Sequence, residues 1–333
     1  MSALEVLQAG PGVTVQDGGR PGYMALGLSR GGAADRLALA EGAALLRQPP
    51  GTALELAGYG GRFRADVACR IALTGAPMRA TLEGAPLTWN ASHVLPAGAV
   101  LEIGGALSGV YGYLTPGGGF DLPEELGARS AHLNAGLGRL LEAGDRLPLA
   151  ADKGRETGLT LDPVDRFGGG LLRVLPSLQT GMFPEEMRAR FVEERFARDS
   201  RGNRMGIRVT PEGEGYGLTE GQSIVSEVIT PGDIQIPGDG APYVLLYECQ
   251  TTGGYPRIGT VIPADLPRVA QAAPGVELRF RFVSRAEALE AEAGYRRALG
   301  AIAVRPLVRD PADMPDLLSH SLISGVTAGE EHS

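Results

Sequence analysis

Among its 333 residues the chain has one lysine, two cysteines, one tryptophan and four histidines. Most of these shortages remove a class of chemistry. Lys153 is the only side-chain amine and sits in a polar stretch, so a lysine nucleophile or Schiff base has almost no candidate. The pattern of glycines followed by Lys and Ser or Thr that cradles phosphates does not occur, which excludes a Walker-type ATP site from this chain. Cys69 and Cys249 are not in a Cys-x-x-Cys pair and cannot form a metal cluster by themselves; both read as small buried strand residues. His93, His132, His320 and His332 are too dispersed to suggest a metal site. No Gly-x-Gly-x-x-Gly follows a strand and opens a helix, and no Gly-x-Ser-x-Gly elbow is present. The lysine of a biotin-attachment motif is missing as well, so any biotin would arrive on another protein.

Long apolar runs are also absent, and "MSALEVLQAG" lacks the charged start and apolar core of a signal peptide. A soluble, cytoplasmic protein is expected. Positive charge is in deficit, with 31 Lys and Arg against 39 Asp and Glu. That balance argues against nucleic acid, whose phosphates need a basic face.

Glycine and proline are abundant, at 50 and 24 residues, and are spread along the whole chain. They punctuate many short elements rather than marking disorder, and a 43% hydrophobic content is ample for real cores. "LEVLQAG", "ALELAGYGGRFRA", "VACRIALTGA", "RATLEGAPLTW" and "VLEIGGALSGVYGYLTPGG" read as successive strands closed by Gly or Pro. A helix over 33–47 interrupts them. Residues 151–164 are polar and turn-rich and make the best linker. A second β-rich region follows, with an amphipathic helix over 184–200. Ser284 and Glu287 form a capping box that opens a C-terminal helix. The expected fold is therefore mainly β with a few helices, as two barrel-like domains over 1–155 and 163–285. Residues 286–333 add a helix and a loosely held tail.

Four segments carry more polar groups than turns require. In "TVQDGGRPGY", Asp17 and Arg20 flank glycines; Arg20 is either a carboxylate-binding fork or the local partner of Asp17. In "SRGGAAD", a helix N-terminus suits an anion, but Asp35 would repel one, and the structural role is favoured. In "NRMGIRV", Asn203 and Arg204 precede a strand containing Gly206, a residue that marks a bulge or a close approach. The fourth joins Gln235 in "GDIQIP" to Gln250, Thr251, Thr252, Gly253, Gly254 and Tyr255 in "QTTGGYPRIGT". Neutral amides, hydroxyls and backbone N–H groups of this kind suit a small amide or lactam and an oxyanion formed on it.

In order along the chain, these segments together with "GARSAHLNAGLGRLLEAGDRL" and "PGDIQIPGDGAPYVLLYECQTTGGYPRIGTVIPADLPRVAQAAPGVELRF" resemble the biotin-dependent carboxyltransferase-like family. That family is also called allophanate hydrolase subunit 2, and it includes the KipA proteins and the C subunits of 5-oxoprolinase. The resemblance covers about residues 4 to 285. It departs from the family pattern at "EGAALLRQPPGT" and "LQTGMFPEEMRARF". The resemblance implies cyclophilin-like β-barrels, a partner like the B subunit of 5-oxoprolinase and a third protein like its A subunit. The activity it implies is ATP-dependent opening of 5-oxoproline to glutamate, with ATP used by the complex and no cofactor bound covalently. Two other roles are implied as alternatives: carboxyltransfer to urea or another small amide from carboxybiotin on a separate carrier, and KipA-like binding of a kinase inhibitor. A cleft between the domains is expected to be lined by Asp17, Arg20, Asn203, Arg204, Gln235, Gln250, Thr251, Thr252, Gly253, Gly254 and Tyr255. Within it, Arg20 or Arg204 would meet the substrate carboxylate. No catalytic residue is singled out.

Overall fold

The computed structural model describes residues 2–218 and 224–308. The mainly β class holds. In the N-terminal half, a six-stranded antiparallel sheet runs in the order Arg146–Pro148, Ala3–Ala9, Tyr59–Ala65, Val100–Ala106, Met78–Leu82, Ala85–Pro86. A second sheet runs Thr14–Gln16, Ala53–Ala57, Tyr111–Pro116, Cys69–Gly75, Ala91–Leu95, Leu159–Thr160, Arg305–Pro306. Period-two alternation turns one face of each inward. Phe63 and Ala65 are buried between outward Arg62 and Arg64, and Leu101 and Ile103 flank outward Glu102. Those residues share one core with Leu54, Leu56, Ile71, Leu73 and Leu114 of the second sheet. Each of the Leu, Ile and Phe side chains contributes roughly 1.5–3 kcal/mol by leaving water.

The C-terminal half closes into a seven-stranded barrel: Gly170–Leu175, Arg257–Val261, Asp233–Gln235, Tyr243–Leu245, Gly206–Pro211, Phe196–Asn203 and Glu277–Phe282, the last pairing parallel with the first. Among the described residues this is the one closed barrel. The N-terminal half is a pair of packed sheets, which refines the expectation of two barrels. Helix α1 (Arg36–Leu45) packs on the second sheet and α2 (Glu185–Glu193) on the barrel. Phe191 of α2 stacks on Phe280 at 4.8 Å and meets Tyr216 edge-on at 5.5 Å. Helix α3 (Leu266–Gln271) follows, and α4 (Arg285–Gly300) starts at the expected Ser284–Glu287 capping box.

Two expectations are corrected. The helix over 184–200 stops at Glu193, and Phe196–Asn203 is a barrel strand instead. Phe196 there pairs with both Pro211 and Leu278, so barrel closure overrides local helix preference. The 151–164 stretch is more than a linker. Leu159 and Leu161 are buried with Leu45, Leu46 and Ala72, and Leu159–Thr160 pairs with Arg305–Pro306. The chain thus returns to the first half after α4. The halves also share apolar contact, since Ala34, Ala38, Tyr111 and Tyr113 join the barrel core. No helix among the described residues is long and apolar enough to cross a membrane. The tail from about Asp310, with His320 and His332, lies outside the described residues.

Candidate functional site

The hairpin between Phe196–Asn203 and Gly206–Pro211 turns at Arg204 and Met205. Asn203 is exposed and serves that turn, its Oδ1 accepting from the Met205 N–H at 2.8 Å. Gly206 marks a close approach, as its strand context suggests. A Cβ there would stand 2.4 Å from the Tyr243 ring. The turn pushes the Arg204 guanidinium into the seam between the halves. Its Nε donates to Glu248 Oε1 at 2.5 Å, while its Nη atoms donate to Glu55 Oε1 and the Gly32 carbonyl. Glu55 Oε2 also accepts from Tyr113 Oη at 2.6 Å and from the Ala34 N–H at 2.8 Å. Burial opposes the charge on Arg204, but Glu55 and Glu248 hold its pKa above the ordinary value.

Arg20 is equally committed. It is 2% exposed and donates to the carbonyls of Glu125, Ala128 and Ser130 and to Ser130 Oγ. Asp17 does not pair with it; the Asp17 carboxylate accepts from the N–H groups of Gly19 and Arg129. Neither arginine presents a free fork to a ligand, and the expectation that one of them meets a carboxylate is corrected here. Both are joints of the fold, because their donors are already taken up by carbonyl, hydroxyl and carboxylate oxygens of the chain itself. Asp35 is structural too, as favoured: its Oδ1 caps α1 through the Leu37 and Ala38 N–H groups.

Gln235, Gln250, Thr251, Thr252 and Tyr255 do come together. After the strand Tyr243–Leu245 the chain is tied to the hairpin by Leu246 N–H to Met205 O and Glu248 N–H to Arg204 O. It then runs along the rim of a cleft of about 620 Å³ between the halves. Gln250, Thr251 and Thr252 line one wall, with Ser29, His132 and Asn134 on the other. Glu248, itself buried, lines it as well. An adjoining pocket of about 220 Å³ is lined by Gln235, Tyr243, Leu245 and Tyr255, and shares Met205, Cys249 and Gln250 with the cleft. Gly253 is needed for packing: a Cβ would stand 2.7 Å from Gln235 Nε2 and 3.0 Å from Ile229 Cδ1. Gln235 is 6% exposed, and its Nε2 has no hydrogen-bond partner among the described residues. A buried donor without a partner costs roughly 1–3 kcal/mol, so it is a place for a ligand acceptor. Gly254 is exposed beside Gly253 and lines neither cavity. Burial pushes the Cys249 thiol up to about 12, which leaves it inert.

Sequence reasoning does not single out Ser29, His132, Asn134 or Glu248. His132 counts there among the dispersed histidines, although "SAHLNAG" lies within a recognisable segment. In the fold, Ser29 Oγ lies 2.9 Å from His132 Nε2, and Leu133 N–H donates to Glu248 Oε2 at 3.1 Å. Burial lowers the His132 pKa, and Arg20 and Arg204 add to that while Glu248 opposes it. His132 is therefore expected to titrate below 6.5 in a proton NMR pH series. The unfolded chain then takes up this proton first, so stability falls as pH drops below that value and is unaffected above it. A midpoint at or above 6.5 would contradict the buried, neutral imidazole.

The family model for the carboxyltransferase domain, subdomain A and B, matches residues 26–282. The chain is 33% identical to the C subunit of 5-oxoprolinase from Escherichia coli over 309 residues, covering 91% of this chain and 98% of that protein. It is also 33% identical to the C subunit of 5-oxoprolinase from Haemophilus influenzae over 292 residues, covering 86% and 93%. The urea carboxylase of Kluyveromyces lactis has the same fold, with a TM-score of 0.81 at 24% identity over 94% of this chain and 30% of that one. With a matching model across most of its length and two near full-length relatives, the chain belongs to the carboxyltransferase domain family of subdomains A and B.

Proposed function

We propose that the chain is one component of an ATP-dependent 5-oxoprolinase, which opens the lactam 5-oxoproline to glutamate in the cytoplasm. It acts beside a partner like the B subunit of that enzyme and a third protein like its A subunit, and is inactive alone. The observation that carries this reading is the 33% identity to the C subunit of a 5-oxoprolinase over 98% of that protein's length. The cleft supports it chemically. Its lining is neutral apart from Glu248, which Arg204 already pairs, and it offers amide and hydroxyl groups suited to a lactam. The same lining does not fit a nucleotide: no free cation faces the cleft among the residues that line it, and phosphates call for one. ATP is accordingly assigned to the other components of the complex. The cleft between Ser29 and Gln250, together with the Gln235 pocket, is the proposed substrate site.

A second reading is carboxyltransfer to urea or another small amide, with carboxybiotin brought by a separate carrier. A putative urea carboxylase of Emericella nidulans favours it, being 26% identical over 91% of this chain, although that match spans 26% of the larger protein. The test is glutamate formation from 5-oxoproline and ATP by the complex co-purified with its partners, with and without this chain. ATP-dependent glutamate appearing only when the chain is present is the expected result. A stable complex that makes none, but carboxylates urea when given a biotin carrier, would replace the first reading with the second.

A further inference from the structure

The cleft contains a hydrogen-bonded pair assembled from distant parts of the chain. Ser29 precedes α1, and His132 lies 103 residues later. Both side chains are almost wholly buried yet line the cleft, at 2% and 3% exposure. The surrounding backbone is shaped to admit the imidazole. Gly31 has φ +58, and a Cβ on it would stand 2.9 Å from His132 Cδ2. The His132 backbone is fixed by its N–H to Leu137 O at 2.8 Å. The ring's surroundings favour one tautomer. The Ala135 N–H is shared between the His132 carbonyl at 3.0 Å and His132 Nδ1 at 3.3 Å, and an Nδ1 that accepts places the proton of the neutral ring on Nε2. Nε2–H therefore donates to Ser29 Oγ at 2.9 Å.

That direction decides what Ser29 does. Its oxygen is occupied as an acceptor, and its own hydroxyl proton has no acceptor among the described residues. A hydroxyl polarised by an incoming N–H is a better donor than a free one. This arrangement is the reverse of a nucleophilic serine, which would have to donate to the imidazole. We propose that Ser29, oriented by His132, donates its hydroxyl proton to the carbonyl oxygen of a small amide or lactam held in this cleft. Ser29 is then the residue that touches substrate and His132 a positioning residue. Together they present a fixed dipole to the oxygen on which negative charge grows when the carbonyl carbon is attacked. No proton is transferred and no covalent bond to the protein forms. The inference deepens the 5-oxoprolinase reading and rests on it for the identity of the substrate.

Two measurements test it separately from that reading. In the first, the full chain alone is titrated with 5-oxoproline and with the uncharged lactam 2-pyrrolidone, followed by protein-observed NMR. Ser29→Ala is expected to weaken binding of both probes about 3–10-fold, the range for one neutral hydrogen bond. His132→Gln, whose amide N–H reaches toward the same place as Nε2–H, keeps most of the affinity, whereas His132→Ala does not. The double variant Ser29→Ala/His132→Ala binds no worse than Ser29→Ala, because the two residues act as one unit. In the second, the assembled complex carrying Ser29→Ala is expected to lose about 10²–10³-fold in kcat with a much smaller change in KM, as when one oxyanion donor is removed. Wild-type-like binding by Ser29→Ala, or no binding of either lactam to the wild-type chain, overturns the proposal even if the complex makes glutamate. A wild-type complex that makes no glutamate overturns the 5-oxoprolinase reading, while the lactam titrations still decide the role of Ser29.

Discussion

Arg204→Ala is expected to lower the stability of the chain by about 3–5 kcal/mol, the range for stranding buried carboxylates by removing their cation. Among the described residues, Arg204 is the one cation that pairs with both Glu55 of one half and Glu248 of the other, and the three side chains are 12%, 1% and 3% exposed. Without it two buried carboxylates face each other across the seam. Arg204→Lys recovers little, because one ammonium cannot span Glu55, Glu248 and the Gly32 carbonyl as the guanidinium does. The cost lies in the stranded charges, so adding Glu55→Gln and Glu248→Gln to Arg204→Met should restore a large part of the loss. Urea denaturation followed by the fluorescence of Trp89, the single tryptophan, measures this directly. Glu248 belongs to both the seam and the cleft lining, so the variant should also weaken lactam binding. A loss below about 1 kcal/mol would mean that the seam is open to water and the joint is not what aligns the cleft.

Arg166→Ala should cost a similar amount, about 3–5 kcal/mol, at the other end of the same interface. Arg166 is 3% exposed; its Nε donates to Asp35 Oδ2 at 2.6 Å and its Nη atoms to Glu41 at 2.7 and 3.0 Å. Gln271 of α3 donates to the same Asp35 oxygen at 2.8 Å, so the cluster ties α1 to the barrel half. Burial already raises the Glu41 pKa even with Arg166 opposing it. Removing Arg166 raises it further, and the folded variant then holds a proton that the unfolded chain has released. Stability of the variant falls as pH rises through that window. Its deficit against the wild type should therefore be smaller at about pH 5 than at about pH 8, near and well above the ordinary carboxylate range. An equal deficit at both pH values would show that Glu41 stays ionised without its partner. Asp35 keeps its cap bonds to Leu37 and Ala38, so α1 itself should survive.

Local chemistry makes part of this protein legible from residue order. "ALELAGYGGRFRA" and "VLEIGGALSGVYGYLTPGG" read as strand segments closed by Gly or Pro, and each supplies two strands, Ala53–Ala57 with Tyr59–Ala65 and Val100–Ala106 with Tyr111–Pro116. The Ser284–Glu287 box predicts the start of α4, because both partners lie within one helical turn. Gly253 and Gly206 are readable as points of close approach, and each has a neighbour where a Cβ would go. The partner choices are not legible in this way. Arg20 and Arg204 have the same side chain and similar glycine-rich settings, so residue order cannot show that one is spent on carbonyls more than 100 residues away and the other on the seam. Phe196–Ser200 reads as the end of a helix and instead opens the strand Phe196–Asn203, because the barrel needs a partner between Gly206–Pro211 and Glu277–Phe282. His132 looks isolated because its partner Ser29 is far away along the chain, and only sheet packing brings them within 2.9 Å. What the sequence by itself determined were the elements and contacts whose partners lie within a few residues: strands, caps, tight glycines and the family's motifs. Which charges are buried, which donors stay free and where the cleft opens were decided by tertiary structure, because each depends on long-range neighbours that residue order does not reveal.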